Sequence, residues 1–146
     1  MFFRWLFSLT GLILLFGCGT AQPTGDRVAT VRASGVLTLD GVPLEYYQVV
    51  CFPPDGKRPA VGTADDEGKF VLGTNKPGDG AVVGTHKVAI NWLGPPSDDP
   101  NEGIMEFSKP PAPTVKIDSR FSDPKKSGIE IEIPAGGNNK IVIDLK

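Results

Sequence analysis

Apolar residues in this chain come in short runs, and turn-forming residues separate almost every pair of runs. Glycine and proline number 18 and 14 of 146 residues. They sit between the apolar runs and follow no fixed period. A chain interrupted this often cannot sustain long helices, whereas a many-turned sheet protein uses such residues at each reversal. The alternation inside the runs agrees. Residues 31–39, VRASGVLTL, place Ala33, Gly35, Leu37 and Leu39 on one face, with Ser34, Val36 and Thr38 on the other. Residues 129–133 and 141–145 set isoleucines and a leucine against Glu130, Glu132, Val142 and Asp144.

Further strands are expected at 46–52, 60–63, 69–74 and 85–93. Asp40-Gly41 is a turn signal, because glycine accepts the positive φ that tight hairpins need. PAGGNN, residues 134–139, reads as a hairpin loop between the last two strands. Residues 95–125 hold no clear strand except a short edge element at 115–117, with Phe107 and Phe121 as residues to pack over a sheet end. A region of that length without regular structure is uncommon in a compact domain and is a natural place for partner contacts. Six or seven short strands suggest two sheets packed face to face, burying Leu37, Val88, Ile90, Ile131 and Ile143. Each large aliphatic so buried contributes about 1.5–3 kcal/mol, against roughly 0–1 for a surface ion pair.

The first residues, MFFRWLFSLTGLILLFGC, form a different kind of segment. One positive charge, Arg4, precedes an apolar run of about 12 residues, short for a membrane-spanning helix but suited to a secretion signal. LFGC resembles the lipobox of bacterial lipoproteins, in which a peptidase cuts before the cysteine and the cysteine is then acylated on its sulfur and its new amino terminus. Phe16 departs from the small or branched residue usual two places before that cysteine. The resemblance implies residues 1–17 as a lipoprotein signal peptide, residues 18–27 as a lipidated start and tether, and residues 28–146 as the folded domain. Cys18 is the expected lipid attachment residue, with membrane lipid as its partner. Gly19, rather than an aspartate, favours the outer membrane.

The chemistry-bearing residues are few. Net charge is −2, with one histidine and no cluster of lysine and arginine, so no nucleic-acid footprint is present. No G-x-S-x-G elbow accompanies His86, so no enzyme activity is expected. Asp65, Asp66 and Glu67 lack the spacing of a calcium loop and read as a turn; no metal and no cofactor are expected. Cys51 reads as a buried small hydrophobe; a disulfide to Cys18 is the rival. Trp92, Tyr46 and Tyr47 are candidate ligand-binding residues. Exposed and coplanar along a groove, they would stack on a sugar, with Asp98 and Asp99 as polar neighbours.

The stretches ASGVLTLDGVPLEYYQVVCFPPDG, GTADDEGKFVLGTNKPGDGAVVGTHKVAI and RFSDPKKSGIEIEIPAGGNNKIVIDL together resemble small planctomycete lipoproteins with a carboxypeptidase-regulatory-like or transthyretin-like domain. The resemblance implies a seven-stranded Greek-key β-sandwich and supplies no catalytic residues. The fold alone does not choose a function; the anchor, the tether, a rigid β domain and the absence of a catalytic constellation lead to the expectation of a non-enzymatic, lipid-anchored cell-envelope module with a structural or protein-recognition role, whose partner is an envelope protein or a glycan. A carbohydrate-binding module at the cell surface is the alternative.

Overall fold

The computed structural model describes residues 27–96 and 110–146. Cys18, the signal segment, most of the tether, Asp98, Asp99 and Phe107 lie outside the described residues. The described chain is nearly all β. Its strands are β1 (Ala33–Leu39), β2 (Val42–Pro43), β3 (Tyr47–Phe52), β4 (Ala60–Thr63), β5 (Lys69–Val71), β6 (Gly84–Trp92), β7 (Glu130–Ile133) and β8 (Asn138–Leu145). One short 3-10 turn, Ser119–Ser122, precedes β7.

The strands form two sheets. In the first, β1 pairs in parallel with β8 along one edge. Its other edge is shared by two antiparallel partners, β5 opposite Ser34–Val36 and β2 opposite Thr38–Leu39. The second sheet runs β4-β3-β6-β7 and is antiparallel throughout. Inward residues of both sheets meet in one core: Leu37, Phe70, Ile141 and Ile143 from the first, Val49, Val88, Ile90 and Ile133 from the second. The predicted faces of 31–39 hold, with Ala33, Gly35 and Leu37 buried and Ser34, Val36 and Thr38 half-buried.

Asp40-Gly41 makes the expected reversal. Both residues have positive φ, 50° and 79°, and the two-residue loop sets Leu39 opposite Val42. The carboxylate of Asp144 fastens this turn from the neighbouring strand, accepting from Thr38 Oγ1 at 2.8 Å and from the Gly41 amide at 3.0 Å.

Residues 134–139 do not form a hairpin loop. β7 pairs with β6, and the chain then crosses the core so that β8 joins the other sheet beside β1. Two strands with one apolar face each can pair side by side or face each other across a core, and alternation is identical in both. Contacts with β1 decide the outcome. The Asn138 amide donates to Arg32 O at 2.9 Å. Gly137, at φ 82°, comes so near that a Cβ there would lie 2.5 Å from the same oxygen. Gly35 similarly lets β8 approach β1, since a Cβ on it would fall 2.2 Å from Ile141 O.

Two further differences concern length. β5 ends at Val71, because Gly73 bridges to Val61 of β4 and opens a turn whose Lys76 carbonyl packs against it. Residues 115–117 form no strand; Val115 and Ile117 are half-buried against the core, and Phe121 beyond them is buried as expected.

Candidate functional site

The first described residues are fastened to the turn at 74–80. The Val28 amide donates to Asn75 Oδ1 at 3.0 Å, and Asn75 Nδ2 donates back to Val28 O at 2.9 Å. Thr30 Oγ1 donates to Asp79 O, and Val31 bridges to Ala81. Asp79 holds the receiving turn together. Partial burial alone would raise its carboxyl, but the Thr74 amide and the Asn75 side chain and amide outweigh that and hold it below the ordinary carboxylate range.

Tyr47 and Trp92 are opposite each other on β3 and β6. Their rings meet edge to face, with centroids 5.0 Å apart and planes at 61°, a favourable aromatic contact. Both polar handles are taken by the segment that follows residue 109. Tyr47 Oη donates to Val115 O at 2.6 Å, and Trp92 Nε1 donates to Pro111 O at 2.7 Å. Residues 110–117 are thus a strap clasped over the aromatic pair. Burial pushes the Tyr47 phenol up, against a weaker downward pull from a backbone hydrogen bond with Ile117.

In this geometry the three candidate aromatics are not equivalent. Tyr47 is 3% exposed, and the two rings are far from coplanar. Tyr46, half-buried, has φ 58° and is held through its main chain to Ala64 O and the Leu93 amide, so it does not continue the alternation of β3. The three aromatics therefore do not form one stacking surface. Small recesses of about 70 and 230 Å³ flank the pair, the second lined partly by Lys116, Asp118 and Ser119.

The acidic turn, Cys51 and His86 are each engaged within the fold. The acidic turn is occupied by its own main chain: Asp65 Oδ1 accepts from the amides of Glu67 and Lys69. Cys51 faces the core with no exposure, and burial pushes its thiol up to about 12. His86 is also fully buried, with one ring nitrogen, Nε2, 2.7 Å from Val82 O. A carbonyl only accepts, so Nε2 is the donor in this bond, and among the described residues Nδ1 has no hydrogen-bond partner.

An open groove of about 570 Å³ lies where the edges of the two sheets meet, along β4 and β5. Val61 and Val71 are exposed on its apolar part, and Thr63 and Asn75 supply polar groups. Gly62 and Gly73 let the strands close up; a Cβ on Gly62 would lie 2.7 Å from Val71 O. Arg58 and Lys76 are exposed along it, and among the described residues neither is in an ion pair. The arrangement suits an extended chain with apolar side chains and carboxylates. Sequence reasoning missed it, because nothing local links Arg58 to Lys76; only the Val61–Gly73 bridge between sheets brings them to one groove.

Comparison with known proteins gave no match to a family model, a curated protein or a solved structure.

Proposed function

We propose that the chain is a non-enzymatic, lipid-anchored module of the bacterial cell envelope, with a structural or protein-recognition role. Setting aside the two-residue β2, its folded part is read as a seven-stranded Greek-key sandwich of the transthyretin-like kind. Acylated Cys18 is the foot and residues 18–27 are the tether, with Gly19 favouring the outer membrane.

The observation that carries this reading is the place where the tether stops. Val28 is already fastened to Asn75, so about ten residues separate Cys18 from the sheets. Fully extended, they reach roughly 30 Å. A domain on so short a lead works close to a membrane surface. Several acyl chains would hold it there firmly, where one would not. Asn75 also lines the groove, so the recognition surface lies beside the tether. The buried, hydrogen-bonded state of the chain's one histidine supports a role without acid–base chemistry.

Intact mass of the protein taken from its native membrane tests the anchor. Residues 1–17 should be gone and acyl chains present; an uncut, water-soluble protein without fatty acid overturns the reading. Cys18→Ala should release the domain or leave it unprocessed, with its β-rich spectrum unchanged.

A further inference from the structure

The last strand has one partner and one open edge. β1 binds β8 through the main-chain groups of Ile141, Ile143 and Leu145, as the Asp40 amide bonded to Leu145 O marks at one end. The N–H and C=O groups of Val142 and Asp144 therefore point the other way, and among the described residues no main-chain group pairs with them. An edge of this kind is a template for another strand.

We propose that β8 pairs antiparallel with β8 of a second copy of this chain, about a two-fold axis through Val142. The side chains on its outer face are self-complementary about that point. Val142 is 74% exposed and would meet Val142 of the second copy. Lys140 stands two residues before it and Asp144 two residues after. Antiparallel pairing sets Lys140 of each copy directly opposite Asp144 of the other, an arrangement favoured in cross-strand pairs. Asp144 is already oriented: its Oδ1 is held by Thr38 and Gly41, while Oδ2 faces only Lys146 Nζ at 3.7 Å.

The extent of pairing is set by the ends. Beyond Asp144, the Arg120 guanidinium donates to Lys146 O and covers the edge. Before Val142, the Lys140 amide is bonded to Asn138 Oδ1. Four intercopy main-chain bonds form with no rearrangement, and two more if Asn138 releases Lys140. The opposite sheet shows the contrast. Self-pairing along the outer edge of β7 about a two-fold at Glu130, Ile131 or Glu132 would set glutamate against glutamate of the other copy. Like charges directly opposite are disfavoured. A contact of one short strand is small for a stable soluble dimer, so this one is expected where copies are concentrated on a surface.

The test uses the full chain in its own membrane, carrying Val142→Cys, with Val71→Cys, also exposed, as the control. After mild copper–phenanthroline oxidation, peptide mapping assigns the intercopy disulfide. Crosslinking through position 142 should exceed that through position 71 by at least about fivefold. Adding Lys140→Asp should lower it about fivefold, since two opposite-charge contacts become two like-charge ones. Adding Asp144→Lys as well should restore it. Equal crosslinking at 142 and 71, no effect of Lys140→Asp, or no restoration in a folded double variant overturns the proposal. Should the double variant lose its β-rich spectrum, the Lys140→Asp arm decides alone, because that side chain makes no hydrogen bond or ion pair among the described residues.

Discussion

Tyr47→Phe removes the phenol's hydrogen bonding to the strap and almost nothing else. The ring stays in the core and keeps its edge-to-face contact with Trp92; what disappears is chiefly the 2.6 Å bond from Oη to Val115 O, with the weaker one to the Ile117 backbone. Val115 is half-buried, so water can reach its freed carbonyl and the penalty for an unpaired buried acceptor is largely avoided. The cost is then that of one ordinary hydrogen bond, about 1 kcal/mol, or about a fivefold rise in the open population of the strap. Amide hydrogen exchange reads this directly. Val115, Lys116 and Ile117 should exchange about fivefold faster, whereas amides of β3 and β6 deep in the second sheet should change far less. Tyr47→Ala, by contrast, empties a core site and should cost about 3–5 kcal/mol with protection lost throughout. Unchanged exchange at 115–117 in Tyr47→Phe would refute the clasp. An equal rise across β3, β6 and the strap would show instead that the strap has no independent opening.

Two other outcomes follow from buried or hydrogen-bonded groups. Cys51, with its thiol pushed up to about 12 and no exposure, should resist iodoacetamide at pH 8 in the folded protein and react only as fast as the domain unfolds, as mass mapping of its peptide would record. Asp79 has a folded-state carboxyl held below its unfolded value, so its stabilising effect is complete above about pH 4 and is lost as pH falls through the lower folded value. Denaturant titrations between pH 2 and 6 should therefore show a shallower acid-side loss for Asp79→Asn than for wild type; parallel curves would contradict this.

Period-two patterning located most strands, because one buried face is a strong local constraint. β4 lies at 60–63 as read, and β1 and β6 differ from their predicted limits by two residues or fewer at either end. What the pattern does not encode is which strand lies beside which. Ile131 and Ile143 face the same core whether their strands pair or oppose each other, and the decision falls to the close approach of Gly35 and Gly137 to β8 and β1. The arrangement of the aromatics is hidden from the sequence for a related reason. β3 is apolar on both faces, so alternation alone does not say whether Tyr46 or Tyr47 points inward, and the positive φ of Tyr46 places it outside the strand's period. The groove with Arg58 and Lys76 depends on contact between two sheet edges and has no local signature at all.

The parallel seam between β1 and β8 joins side chains 106 positions apart, as Thr38 and Asp144 show. Until residues 138–145 reach it, β1 therefore has a vacant flank. Such long-range closure is slow. Removing β8 would leave β1 unzipped along that flank rather than merely trim the fold.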